Sequence, residues 1–314
     1  MPPIDSIHKK KVLVTGGTGW LGTRLVRALL QIGADVRIYA RARDGWERTQ
    51  NTLSGLSASA EVRQGDITDH DALANALDGI GVVFHLAAEK ALDLCEREPS
   101  LAVRTNLIGT LLLLELASDA GITRIVAASS DKASGPESVL GITKSLMERI
   151  LTNSQTAPSS AAVRLGNLLQ SGGSVLERWR RTRAEGYIEV TDPDMTRFAM
   201  TADEAVEVLI RAALRADREI IAKALPAYRL GDLADVFAAK YGVRIVAVGA
   251  RTGEKMHESL VSEAEAPFAR REGDLLVITP LRQQDGTEPY TSRTAPRLGR
   301  TALAARVQAE SPGA

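Results

Sequence analysis

Short apolar runs alternate with amphipathic segments through the first half of the chain. The runs have the length and β-branched content of strands, and the segments between them carry apolar residues at helical spacing. The predicted strands cover residues 11–15, 35–39, 60–63, 81–86 and 124–128. A long helix is predicted over about 99–120. This alternation predicts an α/β protein with a Rossmann-like, doubly wound parallel sheet that binds ligands at the carboxyl ends of its strands.

The alternation is interrupted after a sixth predicted strand at 161–164. The Gly/Ser-rich stretch 171–175 follows, and it indicates either a flexible connector or the entrance to a smaller, C-terminal substrate-binding lobe. Helical spacing returns at 202–214 and 230–241. The predicted division is a Rossmann domain of residues 8–166 with 198–222 and 243–248, a lobe of 167–197 with the rest of 223–295, and a tail of 296–314.

A glycine-rich turn directly follows the first predicted strand. It has glycines at positions 16, 19 and 22 and leads into a helical pattern. Glycines let the backbone approach a pyrophosphate, and the first N–H groups of the helix can bind it. We therefore expect a dinucleotide to contact Gly16, Thr18, Gly19, Trp20 and Leu21.

Two arginines, Arg41 and Arg43, lie just after the second predicted strand. A cation there suits the 2′-phosphate of NADP, whereas an acid suits the free ribose of NAD. The arginines favour NADP, although both also fit an ordinary solvated loop, and Asp44 keeps NAD open. After the third strand, Asp66 can reach the adenine amino group, with Ile67 beside it.

Composition excludes several classes of protein. Lys+Arg and Asp+Glu both number 39, which gives no electrostatic reason to expect nucleic acid or a membrane surface as partner. The hydrophobic content of 44% suits a globular protein, and no apolar run approaches the ~20 residues of a membrane span. The single cysteine, Cys95, excludes an internal disulfide, and the histidines lack metal spacing. We expect a cytoplasmic protein without a metal site.

The stretch with most chemical potential follows the fifth predicted strand. Ser129, Ser130, Asp131 and Lys132 are consecutive, and Lys144 lies near the start of the next helix. Taken alone, the acid and amine fit a solvated turn better than they fit proton transfer.

Several motifs in order along the chain resemble those of extended short-chain dehydrogenases/reductases. More narrowly, they resemble the UDP-N-acetylglucosamine 4,6-dehydratases of polysaccharide biosynthesis. The matching stretches are 85–90, 95–99, 129–133, 164–168, 195–198, 251–258, 273–278 and 290–292. The resemblance implies an enzyme that oxidises C4 of a UDP-hexosamine with NADP, eliminates water across C5 and C6, and returns the hydride to C6.

The resemblance also implies roles for individual residues. Asp131 is the expected acid for water loss, Lys132 the base at C5, and Lys144 a contact of the nicotinamide ribose. Ser129 or Ser130 is expected to bind the sugar 4-hydroxyl. Further expected cofactor contacts are Leu86, Ala87, Ala88, Lys90 and Asn106. The expected UDP-sugar contacts are Lys90, Asn167, Ser174, Val175, Arg197, Arg251 and Glu254.

One position departs from the family pattern. Related dehydrogenases place a tyrosine four residues before the lysine as the base for the 4-hydroxyl, and this chain has Leu140 there. Loss of a positioned base typically costs ~10²–10⁴ in rate. We expect a water or a serine hydroxyl near Lys144 to replace it. The alternatives are a 4-epimerase or 5,6-dehydratase on the same scaffold, or a non-catalytic NADP- and sugar-binding protein.

The resemblance extends to assembly. Helices at about 99–120 and 139–153 resemble the pair that forms four-helix dimer contacts in relatives, so a homodimer or larger homo-oligomer is expected.

Overall fold

A nine-stranded sheet forms the centre of the fold. The computed structural model describes residues 7, 10–41, 45–54, 60–153, 158–215 and 218–308. Its strands are β1 (Lys11–Thr15), β2 (Asp35–Ala40), β3 (Glu61–Gln64), β4 (Val82–His85), β5 (Arg124–Ser130), β6 (Ser159–Leu165), β7 (Asn167–Leu168), β8 (Tyr187–Val190), β9 (Thr196–Met200), β10 (Glu219–Lys223), β11 (Ala227–Arg229), β12 (Arg244–Ala247), β13 (Ser259–Val261), β14 (Ala269–Glu272), β15 (Leu275–Ile278) and β16 (Tyr290–Thr291).

Helices connect most of these strands. They are α1 (Trp20–Gln31), α2 (Trp46–Leu53), α3 (His70–Leu77), α4 (Leu92–Arg97), α5 (Pro99–Val103), α6 (Gly109–Asp119), α7 (Val139–Asn153), α8 (Val175–Thr182), α9 (Ala202–Ala213), α10 (Leu230–Tyr241) and α11 (Arg300–Gln308). A π-helical turn, Arg104–Ile108, joins α5 to α6, and 3₁₀ turns cover Asp131–Ala133, Arg183–Glu185 and Ala266–Phe268.

The sheet order is β3-β2-β1-β4-β5-β6-β10, all parallel, followed by the antiparallel β15 and β14. The strand order reverses beside β1, as in Rossmann folds, and this reversal opens a crevice at the carboxyl ends. Helices cover both faces, so the strands read as continuous apolar runs, and Val14, Val83 and Ile125 are fully buried. The predicted Rossmann-like fold is confirmed.

A second hydrophobic core, centred on Trp179, Phe237 and Leu303, lies in the smaller lobe. Trp179 and Phe237 pack with ring centroids 5.4 Å apart. The lobe also contains the short sheet β11-β9-β7 and the parallel pair β8 and β12.

Three segments lie elsewhere than the sequence predicts. The sequence predicts that residues 243–248 belong to the Rossmann domain, but β12 pairs with β8 in the lobe, because a β-branched run specifies a strand without specifying its neighbour. Residues 269–278, assigned to the lobe, supply β14 and β15 of the main sheet. The predicted tail contains α11, which buries Leu303 and Val307 against the lobe.

Within the described residues, one helical stretch, Pro99–Asp119, is long and apolar enough to cross a membrane. In this fold 44% of its most apolar window is buried, and core helices of soluble proteins meet the same criteria. Length and composition therefore do not identify it as a membrane span.

Candidate active site

A cleft of about 790 Å³ lies between the carboxyl ends of the parallel strands and the lobe. Most of the residues predicted from the sequence line it. They are Gly16, Thr18, Gly19, Trp20, Leu21, Arg41, Ile67, Leu86, Ala87, Ala88, Lys90, Ser129, Ser130, Asp131, Lys132, Lys144, Asn167, Ser174, Val175 and Arg251. Asp66, Asn106, Arg197 and Glu254 do not line it, and Arg43 and Asp44 lie outside the described residues.

The glycine turn between β1 and α1 is shaped for close approach of a ligand. Gly16 has a φ of +67°, and a Cβ there would lie 2.9 Å from the backbone nitrogen of Ala87. Gly19 is the N-cap residue of α1 and has no side chain, so the cap itself leaves the first N–H groups of the helix open. The turn fits the pyrophosphate of a dinucleotide, which these N–H groups would bind.

A cation, Arg41, lies directly after β2, in the lining of the cleft where a dinucleotide would bind. The Arg41 side chain is 54% exposed, and its Nε lies 3.9 Å from Asp66 Oδ2. Asp66 Oδ1 accepts hydrogen bonds from the Thr68 backbone nitrogen at 2.9 Å and hydroxyl at 2.7 Å. Burial opposes these bonds, but they and Arg41 hold the Asp66 pKa below its usual value. Asp66 thus shapes the loop beside Ile67 rather than lining the cleft.

Asn106 supports the cofactor wall from behind. Its Oδ1 accepts from the Glu89 backbone nitrogen at 2.8 Å, and its Nδ2 donates to the Glu89 carbonyl at 3.0 Å and to Thr143 Oγ1 at 3.1 Å. It lies in the π-helical turn, a local irregularity common at functional sites. Asn106 therefore fixes the stretch that carries Ala88 and Lys90 instead of contacting the cleft.

At the floor of the cleft, Asp131 is a buried carboxyl that is 2% exposed. Its Oδ1 accepts from Ser130 Oγ at 3.0 Å and from Lys132 Nζ at 3.3 Å. Within the described part of the chain, Oδ2 has no hydrogen-bond partner. Burial raises the pKa of Asp131 and Glu258 adds to this, although Lys132 acts in the opposite direction. Burial therefore makes this carboxylate easier to protonate than an exposed one.

Lys132 is held between two acids. Its Nζ donates to Glu258 Oε1 at 2.8 Å as well as to Asp131. Burial lowers the Lys132 pKa, but the two carboxylates outweigh it and hold the pKa above its usual value. A base at C5 requires a lowered pKa, whereas the Lys132 pKa is raised. Lys132 is therefore an ammonium in the resting structure.

Lys144 is the other amine at the cleft floor, and its pKa is shifted in the opposite direction to that of Lys132. Its Nζ donates to the Ala128 carbonyl at 2.8 Å, and burial lowers its pKa to about 8, although Glu148 acts in the other direction. Leu140 lines the cleft one helical turn earlier and packs on Cys95 and Ala102, so it supplies no proton acceptor.

The Ser129 hydroxyl belongs to a buried network that sequence reasoning missed. It donates to Glu148 Oε1 at 2.6 Å, and Glu148 makes a two-pronged ion pair with Arg164 at 2.9 and 2.7 Å. Both charged side chains are 1% exposed. Arg164 also bonds Glu265, which joins β6 to the segment after β13. The Ser129 proton is thus committed away from the cleft, whereas the Ser130 proton is donated to Asp131 at the cleft floor.

Arg197 and Glu254 bind each other instead of facing the cleft. Arg197 is buried, donates to the Thr196 and Met256 carbonyls at 2.8 and 3.3 Å, and lies 3.1 Å from Glu254. Because its donors are used in this way, the Arg197 guanidinium has a structural role.

Arg178 and Arg181 of α8 line the cleft instead. They belong to a group of four arginines within 178–183, a pattern that usually indicates a solvated helix face. Arg178 is half-buried, and its Nε has no hydrogen-bond partner in the described structure. Burial and the neighbouring Arg251 lower its pKa, which indicates a cationic wall suited to an anion. Arg251 also bridges to Asp93 of α4 at 3.2 Å at the side of the cleft.

Residues 12–280 match a family model described as polysaccharide biosynthesis protein. The chain belongs to the polysaccharide biosynthesis protein family. It is 36% identical to an uncharacterized membrane protein of Methanocaldococcus jannaschii over 88% of each chain. It is 31% identical to the UDP-glucose 4-epimerase of Rickettsia rickettsii, with coverage of 82% of this chain and 79% of that one.

Among solved structures, the chain is similar to Pen from Bacillus thuringiensis. The TM-score is 0.90 at 29% identity, and the match covers 95% of this chain and 97% of that chain. Family membership agrees with the coarser resemblance seen in the sequence and leaves the individual reaction to be inferred from the site.

Proposed function

We propose that the protein is a nucleotide-sugar dehydratase that acts on UDP-N-acetylglucosamine or a close UDP-hexosamine. The reaction would comprise C4 oxidation, loss of water across C5 and C6, and hydride return to C6. The observation that supports it is Asp131, a carboxyl at the cleft floor that is 2% exposed, contacts Lys132 and has a pKa raised by burial. Loss of the 6-hydroxyl as water needs a proton donor for that oxygen, whereas 4-epimerisation moves a proton only at the 4-hydroxyl.

The glycine turn, the start of α1 and the 86–88 wall fit a nicotinamide dinucleotide, which would supply the hydride acceptor and donor. Arg41 supports NADP, because its exposed guanidinium stands at the end of β2, where a 2′-phosphate would lie. NAD is the alternative, and the affinity ratio of the two cofactors in wild type distinguishes them.

Lys144 supports oxidation at C4 in the absence of a tyrosine. With a pKa near 8, a useful fraction of its amine is neutral at physiological pH. The sugar 4-hydroxyl proton would pass to this amine through Ser130 or a water, since Leu140 cannot accept it. The rate should therefore rise with pH up to about 8.

Asp131 and Lys132 can generate an acid and a base together. Transfer of one proton along their 3.3 Å contact converts the ion pair into a neutral carboxyl and a neutral amine. Burial favours such a neutral pair. Asp131 would then protonate the departing 6-hydroxyl while Lys132 accepts the C5 proton, as the family resemblance implies.

The substrate's diphosphate would be held by Arg178 and Arg251, together with the start of α8. Arg178 replaces Arg197 in this proposal, because the Arg197 donors are used within the lobe. Arg178→Met should weaken UDP binding about tenfold, a loss of about 1.4 kcal/mol. The exposed Arg244→Met is the control, and equal affinities of the two variants for UDP in calorimetry would contradict the assignment.

Mass spectrometry after incubation with UDP-N-acetylglucosamine tests the reaction. Loss of one water supports the proposal, and an isomer of unchanged mass would support the 4-epimerase alternative that the Rickettsia relative suggests. With deuterium at C4 of the substrate, label retained at C6 supports the 4,6 reaction. A dehydrated product with the label still at C4 would indicate 5,6-elimination, and binding without product would indicate a non-catalytic protein.

We also propose a homodimer. Apolar side chains on α5, α6, α7 and the π-helical turn are exposed, and they include Ile108 at 50%, Ile142 at 52% and Leu146 at 45%. Contiguous exposed apolar residues on adjacent helices are typical of an interaction surface.

A further inference from the structure

Glu258 lies beneath the cleft floor, 126 residues from the lysine that it contacts. It is 1% exposed and does not line the cleft, yet its Oε1 is 2.8 Å from Lys132 Nζ. The hydroxyl of Ser292 accepts the Glu258 backbone N–H at 2.8 Å and so fixes the start of the side chain. The carboxylate is therefore rigidly presented to the amine from behind.

The charges around Glu258 keep it ionised. Besides Lys132, Arg197 Nε lies 4.0 Å from Oε1 and Lys255 Nζ lies 3.5 Å from Oε2. Burial would raise the Glu258 pKa, but Lys132 and Arg197 hold it below its usual value. On the far side of Lys132 stands Asp131, and Tyr228 is close to both. Glu258 is thus a permanent anion beside an amine that changes charge.

We propose that Glu258 is a positioning residue for proton transfer at C5 of the sugar: it aims the Lys132 amine and stabilises the ammonium formed there. This inference rests on the proposed dehydratase function. The C5–H bond breaks and its proton forms a new N–H bond on Lys132. The released electron pair forms the C5–C6 double bond as the C6–O bond breaks, and the Asp131 proton completes the water.

The step starts from the neutral Asp131–Lys132 pair, and positive charge returns to Lys132 as the C5 proton arrives. A fixed carboxylate at 2.8 Å holds the amine in one orientation and favours the charged state that the C5 proton creates on it. Removing the charge should also make the resting ammonium lose its proton more easily, because one of its two acidic partners is gone.

Glu258→Gln tests the effect on catalysis and the effect on the Lys132 proton in separate measurements. Glu258→Asp is the variant that retains the charge. The matched control is Glu219→Gln, a buried glutamate paired with Arg215 and Arg270 at the opposite edge of the sheet. For Glu258→Gln we expect kcat to fall about 10- to 100-fold with KM within about threefold. Lys132 should at the same time be acylated faster by a neutral reagent near pH 7, as measured by peptide mass spectrometry without substrate. Glu258→Asp should keep acylation near the wild-type rate and lose less kcat.

The proposal is overturned if Glu258→Gln leaves Lys132 acylation unchanged, or if Glu219→Gln reproduces the loss of kcat. If Glu258→Gln fails to fold, Glu258→Asp decides: wild-type acylation with reduced kcat supports the proposal, and unchanged kcat refutes it. If acylation responds as expected but wild type removes no water from UDP-hexosamines, the contact with Lys132 stands and the dehydratase function falls.

Discussion

Replacement of Lys144 by methionine tests the physical basis of the amine at the cleft floor. The lysine is buried, and its pKa falls from 10.5 to about 8 because burial penalises the charged form. That difference corresponds to about 3 kcal/mol against folding at pH values where the amine is charged in both states. Methionine removes this penalty but loses the 2.8 Å hydrogen bond to the Ala128 carbonyl, which costs about 1 kcal/mol. The net expectation is stabilisation of about 2 kcal/mol near neutral pH.

The sign of the pH dependence makes this test specific. The penalty is fully present below about pH 8 and fades as the pH rises toward 10.5, because the folded protein then binds fewer protons than the unfolded chain. The stability difference between Lys144→Met and wild type should therefore shrink by about 2 kcal/mol between about pH 7 and about pH 9.5. Urea unfolding of the cofactor-free proteins measures it, with the exposed Lys10→Met as control. A difference that does not change with pH, or a destabilised variant near pH 7, would refute the reasoning.

Three other outcomes are expected from the same site and surface. Asp131→Asn should reduce water loss by ~10²–10⁴ while the affinity for NADP in fluorescence titration is unchanged, and a loss below tenfold would argue against its role as the acid. Arg41→Ser should weaken NADP binding about tenfold and leave NAD binding within about twofold, as measured by calorimetry; equal losses for both would count against a 2′-phosphate contact. Ile142→Lys combined with Leu146→Lys should shift sedimentation from dimer to monomer without lowering Tm by more than a few degrees, and an unchanged sedimentation coefficient would exclude this face as the interface.

Local sequence signals predicted the parts of the site that depend on one stretch of backbone. The glycine turn, the order of the first six strands and the polar stretch 129–132 all lie where expected, because each follows from short-range pattern and strand direction. The carboxyl ends of parallel strands meet at one edge of the sheet. The sequence alone therefore predicts that Asp131 and Lys144 lie in one cleft.

Side-chain roles that depend on distant partners were not predictable. Arg197 lies in a motif that predicts a substrate contact, yet Glu254 and two carbonyls use its donors, and only the folded lobe shows this. The opposite holds for Arg178. A run of arginines indicates a solvated helix face, but α8 places both Arg178 and Arg181 at the cleft. The direction of the Lys132 pKa shift could not be predicted without knowing that Glu258 contacts the amine.

The contacts that complete the cleft join parts of the chain that are synthesised far apart. Lys132 and Glu258 are separated by 126 positions, Arg251 and Asp93 by 158, and Arg164 and Glu265 by 101. Pairings over such distances carry a large loop-closure entropy and form slowly. During refolding from urea, recovery of activity should lag behind recovery of the helical circular dichroism signal. Simultaneous recovery would show that the cleft floor forms together with the helices. A lag would mean that the chain forms its helices before its active site is complete.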